Sequence, residues 1–106
     1  MPIIPARAPG GENLRGADHG ATVSLILDDS EPGQGPRLHC HPYDETWVVH
    51  DGTLTFQLED ERFRVGPGDI VIAPPGAAHK FTNEGPGHSR MVCIHASPTF
   101  STEWLE

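Results

Sequence analysis

The chain has 106 residues, enough for one domain and too few for two. Twelve Gly and eleven Pro exclude a helical bundle, because each costs about 1 to 3 kcal/mol inside a helix; short strands with frequent turns are expected instead. A net charge of −8, with the few Arg scattered from Arg7 to Arg90, argues against nucleic acid or an anionic membrane as partner. No apolar run approaches the roughly 20 residues that span a bilayer, and the start has no basic segment leading into an apolar one. Two cysteines do not make a disulfide scaffold, so a soluble, cytoplasmic protein is expected.

Residues 1–20 read as an irregular Pro- and Gly-rich arm with one short strand near Ile3-Ile4. In the next segment Val23, Leu25 and Leu27 alternate with more polar neighbours, which predicts a strand with one strongly apolar face. Residues 31–36 are a loop by composition. Strands follow over Arg37 to His41, interrupted by Pro42, and over Asp44 to His50, closed by a turn at Asp51-Gly52. Leu54, Phe56 and Leu58 alternate with Thr53, Thr55 and Gln57, the clearest half-buried strand in the chain. After a turn at residues 59–61 come strands over Arg62 to Val65, Ile70 to Ala73, Ala78 to Asn83 and Ser89 to Ala96. Turns at 66–69, 74–76 and 84–87 separate them. The tail, 101–106, is expected to form one helical turn that packs Trp104 and Leu105 on the body. Eight or nine short strands with this turn spacing indicate an antiparallel sandwich or barrel.

Seven histidines are the feature that a bland domain does not explain. His39 and His41 are two apart on a strand, so both imidazoles project from one face. Glu45 follows the bend at Pro42, where an adjacent strand can return a carboxylate to the same place. His79 completes the set through tertiary pairing. Three neutral imidazoles and one carboxylate make a set suited to a divalent transition metal, with positions left open for water or substrate. A histidine in a strand is more often simply packed or exposed, and His19, His50 and His88, in or beside turns, are assigned so.

The glycines and prolines around these residues decide the weighing. Gly33 is followed after five residues by His39, after one by His41, after three by Glu45 and after six by Gly52. In the second run Gly68 is followed after five residues by Pro74, after one by Gly76, after two by His79 and after three by Asn83. In both runs the sequence resembles the cupin superfamily, with all ten defining positions filled and the short inter-motif segment Thr53 to Pro67 of small bacterial cupins. The resemblance implies an all-β fold, an antiparallel double-stranded β-helix (jelly-roll, cupin barrel), as a single domain. Its parts are an arm over 1–20, a barrel over 21–97 and a tail over 98–106. It implies His39, His41, Glu45 and His79 as ligands of one Fe, Mn, Ni, Co or Zn ion per chain. It also implies a homodimer, for which the arm and the strand Val23 to Leu27 are the natural elements to add to a partner's sheet edge. Asn83 reads as a turn or edge residue. Retention of Glu45 speaks against the thiol-oxidising cupins, which lack that glutamate.

Alternation places Trp47 and Val49 on the face of Glu45, and Phe81 on that of His79. Trp47, Phe56 and Phe81 are therefore the candidate substrate contacts, while Leu54 and Leu58 read as filling. Met91, Cys93 and His95 share one face of the last strand, and periodicity leaves open whether it points inward. If it does, His95 is a candidate general base or a residue that orients a ligand. The function expected is a metal-dependent enzyme acting on a small organic, aromatic or polyketide-like molecule, leaning to dioxygenase chemistry. A metal-dependent isomerase, cyclase or decarboxylase, or a non-catalytic small-molecule binding barrel, stands as the alternative.

Overall fold

The computed structural model describes Ile4 and residues 12–106. Ten strands follow in order: β1 Glu12–Leu14, β2 Ser24–Ser30, β3 His39–Cys40, β4 Glu45–Asp51, β5 Leu54–Leu58, β6 Glu61–Val65, β7 Ile70–Ala73, β8 His79–Asn83, β9 Ser89–His95 and β10 Glu103–Trp104. One short 3-10 turn, Gly16–His19, precedes β2. The strands make two five-stranded antiparallel sheets, ordered β1-β2-β9-β4-β7 and β10-β3-β8-β5-β6. The all-β jelly-roll expectation therefore holds, and the strands from β4 to β9 lie within a residue or two of their predicted places. The strand expected near Ile3-Ile4 falls largely outside the described residues.

Strict alternation builds the space between the sheets. Buried and less buried residues alternate through β4, β8 and β9, as a period of two requires when one face is covered. Trp47, Val49, Val71 and Met91 from one sheet meet Leu54, Phe56, Val65 and Phe81 from the other in a single core. Trp47 and Phe56 pack edge to face at 5.1 Å between ring centres. Gly52 turns β4 into β5 with φ near +87°, in the left-handed region that glycine enters without steric cost. A side chain there would also press on the backbone of Ser89, 2.8 Å from its Cα.

Three expectations need correction. First, the apolar face read at Val23, Leu25 and Leu27 points outward: Val23 and Leu27 are 40% and 48% exposed, while Ser24 and Ser30 are buried. Pairing sets this parity. Ser24 lies opposite His95 on β9, so Ser24, Ile26, Asp28 and Ser30 face inward with the His95 row. Secondly, β2 is not a free edge, because β1 covers it. Thirdly, the tail is no helix. It returns as β10 beside β3, pairing Trp104 with His39, and it leaves Trp104 and Leu105 about half exposed.

Asn83 is a buried tie rather than an edge residue, since β8 is the middle strand of its sheet. Its amide nitrogen donates to the carbonyls of Ser30 and Gly87 at 2.8 and 2.9 Å, and its side-chain oxygen accepts from the Gly85 N–H at 2.7 Å. Asn83→Ala strands these buried groups together. It is expected to destabilise the fold by about 2–4 kcal/mol, read as a lower urea midpoint; an unchanged midpoint refutes the tie.

Candidate metal centre

The local chain course brings the four candidate ligands together. β3 and β8 pair with His39 opposite His79, and the Gly76 turn, with φ near +81°, leads into β8. β4 begins at Glu45 in the other sheet, in register with His95. One donor atom each from His39, His41, Glu45 and His79 falls within a 4.8 Å group, and all four residues are buried.

The imidazoles are oriented by backbone carbonyls. The ring nitrogen Nδ1 of His39 donates to Arg37 at 2.6 Å, that of His41 to Ser101 at 2.8 Å and that of His79 to Ala77 at 2.9 Å. An Nδ1–H so used leaves Nε2 as a lone pair in each neutral ring. Those lone pairs converge on a carboxylate: His41 Nε2 is 3.0 Å and His79 Nε2 3.4 Å from Glu45 Oε1. None of these three buried atoms has a hydrogen-bond partner. Unpaired acceptors buried face to face are costly, and a cation among them removes the cost. The donor set thus fits a divalent transition metal and could hold one.

Charge follows the same geometry. Burial pushes the His39 ring down, favouring the neutral ligand form, although the Arg37 carbonyl opposes it. Burial alone would push the Glu45 carboxyl up. Its contacts with His41, His79 and His95 outweigh this and hold it well below the usual carboxylate range. Burial alone would push the His41 ring down as well; its contacts with Glu45 and the Ser101 carbonyl outweigh this and raise it, so a cation entering the site competes with a proton on this pair.

His95 points inward. It is buried, its Nε2 lies 3.2 Å from Glu45 Oε2, and its Nδ1 shares a 2.7 Å hydrogen bond with the Tyr43 hydroxyl. The Tyr43 ring also stacks on His41, nearly parallel at 5.0 Å. His19, His50 and His88 are exposed; His50 pairs with Asp51, and His88 with Asp29 and, more distantly, Glu31. Cys40 points away from the cluster, under the tail, with its thiol donating to Glu103 at 3.3 Å.

A cavity of about 460 Å³ opens onto His39, His41, Glu45 and His95. Phe81 lines it, with Ile26, Cys93, Phe100 and Trp104. Trp47 and Phe56, the other two candidate contacts, belong to the core and do not line it. Sequence reasoning found no signal for Asp28 or Tyr43, and it packed the tail on the body without bringing it over the site. The inward parity of β2 was hidden by its apolar outer face. The two contacts that bring the tail over the site, Ser101 to His41 and Trp104 to His39, span about sixty residues.

The family model described as "Cupin domain" matches residues 27–95. The chain is a cupin. It is 35% identical over 101 residues to "Polyketide synthase CurC" of Streptomyces cyaneus, covering 91% of this chain and 65% of that protein. An uncharacterised protein of Methanocaldococcus jannaschii is 31% identical over 75 residues, 70% of this chain and 59% of the relative. The cupin thus spans about three-fifths of the length of these curated relatives. Among solved structures, a conserved protein from Klebsiella pneumoniae with a double-stranded β-helix domain aligns with a TM-score of 0.74 at 26% identity, over 94% of this chain and 90% of that one. The cupin fold is thereby shared with a solved structure over nearly its full length.

Asp28 is the one cavity-lining acid besides Glu45 among the described residues. Burial pushes its carboxyl up; the Ser30 hydroxyl, donating to Oδ2 at 2.9 Å, opposes this, and Asp29 adds to it. The folded chain therefore holds the Asp28 proton more tightly than the unfolded chain, and this residue's contribution to stability falls as pH rises above the ordinary value of 3.8. Asp28→Asn removes the charge and keeps an acceptor for Ser30. It is expected to raise the urea midpoint near neutral pH and to leave it unchanged at about pH 3; a lower midpoint at neutral pH contradicts this assignment.

Proposed function

We propose that this cupin is a metal-dependent enzyme acting on a small, ring-bearing, largely apolar substrate, with one divalent transition metal per chain held by His39, His41, Glu45 and His79. The observation that carries the reading is the convergence of unpartnered buried Nε2 atoms on Glu45 beside a cavity. When bound, such a metal supplies Lewis acidity and, if redox-active, access to dioxygen. The chain's own residues do the rest. Ile26, Phe81 and Phe100 hold the apolar body of the substrate and exclude water. His95, on the cavity wall beside Glu45, holds or moves a proton at Nε2, and Tyr43 fixes the tilt of its ring. The ring-bearing substrate class is supported by the likeness to a protein named polyketide synthase CurC. With a single proton-transfer group at the cluster, oxygenase-type chemistry is favoured.

A cyclase, isomerase or decarboxylase is the second reading, and the hydrogen-bonded Tyr43–His95 pair, with His95 buried, is the observation that favours it. Elemental analysis of untagged protein is expected to give about one Fe, Mn, Ni, Co or Zn per chain, and less than a tenth of that in His39→Ala/His41→Ala. Saturating the parent at 100 times Kd is expected to stabilise it by about 2.7 kcal/mol. No metal in the parent after reconstitution sinks the metalloenzyme reading. Oxygen uptake with polyphenol substrates separates the two chemistries: turnover that persists without dioxygen selects the second.

The reading includes a homodimer formed through the outer face of the β2-β9-β4-β7 sheet. Leu25, Ile94, Thr46 and Ile72 form one cross-strand row on that face, and Leu27, Val92, Val48 and Ile70 the next. Ile70 and Ile72 are 62% and 59% exposed. Neither row carries a charge, so a second copy can approach there despite the −8 net charge of each chain. Ile70→Glu/Ile72→Glu is expected to convert a dimeric mass at micromolar concentration to a monomeric one. A parent that is already monomeric removes the dimer.

A further inference from the structure

The cavity has two polar clusters with largely apolar wall between them, to which Asn13, opposite Ile26, adds one neutral amide. One is the His39–His41–Glu45 cluster with His95. The other is Asp28 with Ser30 on β2, and Ile26, Phe81, Cys93 and Phe100 supply apolar wall. Strand geometry sets their separation. Asp28 lies four residues along β2 from Ser24, the residue opposite His95, and therefore about 13 Å along the strand from the His95 row. In that register Asp28 stands opposite Met91.

Asp28 has no cation beside it among the described residues, and none of the described lining residues is Lys or Arg. Ser30 donates to Oδ2, and no hydrogen bond among the described residues reaches Oδ1. A carboxylate in that setting repels phosphate or carboxylate groups and accepts from a neutral donor. A cavity of about 460 Å³ is sized for a molecule of two or three fused rings.

We propose that Asp28 is the specificity-determining residue at the far end of this cavity. It accepts a hydrogen bond from a hydroxyl on an elongated, uncharged, ring-bearing substrate whose other end faces the His/Glu cluster. The inference rests on the reading of that cluster as the reacting end. It deepens that reading by naming the substrate's second recognition element, a distal hydroxyl donor, and by excluding anionic distal groups.

The test uses three probes on the zinc-loaded full chain, followed by calorimetry near neutral pH: 2-naphthol, 2,6-dihydroxynaphthalene and 6-methoxy-2-naphthol. They share the ring system and differ at the far end, which carries nothing, a donor, or an acceptor only. The parent is expected to bind the diol about tenfold or more tightly than the methoxy compound, as a hydrogen bond to a carboxylate provides. In Asp28→Leu that ratio is expected to fall to about one while 2-naphthol binding is kept, and Asp28→Ala replaces it if leucine impairs folding. Asp28→Asn, which keeps an acceptor oxygen, is expected to retain part of the preference. An unchanged ratio in the Leu and Ala variants overturns the proposal. So does a parent that holds zinc and binds none of the probes, or binds the diol and methoxy compounds equally. Metal content is measured separately on every sample. A preference for the diol that depends on Asp28 in a parent holding no metal sinks the metalloenzyme reading alone and leaves the distal site standing.

Discussion

Three Nδ1–H to carbonyl hydrogen bonds govern the molecule's chemistry. Each fixes the ring of a candidate ligand, those of His41 and His79 present Nε2 to one carboxylate, and together they create a buried place with too many acceptors. Such an arrangement is unfavourable for the bare chain, and it persists because the surrounding sheets over-determine it. His39 and His79 are fixed by a cross-strand pairing, and Glu45 is fixed by the register of β4 with β9. The backbone thereby sets the donor geometry before any ligand arrives, which is the condition for tight and selective metal binding.

The two sheets divide the work unequally. At one end of the barrel, Trp47, Leu54 and Phe56 fill the interior and leave no room for a ligand. At the other, β2 turns serines and an aspartate inward and the space opens. The inner face of β2 thus lines a cavity while its outer face carries Leu25 and Leu27, the reverse of an ordinary amphipathic strand. Ser24 shows how the polar inner face is tolerated: its hydroxyl donates to the Ser97 carbonyl at 2.8 Å and accepts from the Gly16 N–H at 3.0 Å, so nothing buried there goes unpaired.

Much of this was legible in the sequence. Gly52, Gly68 and Gly76 mark turns where only positive φ closes the chain, and period-two alternation gives the inward faces of β4, β5 and β8 without ambiguity. The His-X-His spacing places two ligands on one face without tertiary information. What could not be read were the features set by pairing partners. The direction of β9 depends on Glu45 standing opposite His95, and the parity of β2 depends in turn on β9. Hydrophobicity alone reverses β2, because a strand that faces a cavity does not follow the rule for one that faces a core. The tail defeats local reasoning for a related reason: Glu103-Trp104 takes its conformation from the edge of β3, not from its own propensity.

One hydrogen bond carries a consequence for how the protein is made. The carbonyl that steers His41 belongs to Ser101, sixty residues later. A nascent chain that has emerged only as far as Glu45 carries three of the four donors with one of them unsteered, and His79 is still to come. Domains begin to organise from the N-terminal side during synthesis, but this centre can be finished only after residue 101 has emerged and β10 has docked. A metal taken by this centre would therefore be chosen by the assembled barrel and not by the growing chain. Early capture by the His39–His41 pair, whose imidazoles alone would favour the ion highest in the Irving–Williams order, is left without the geometry to hold it.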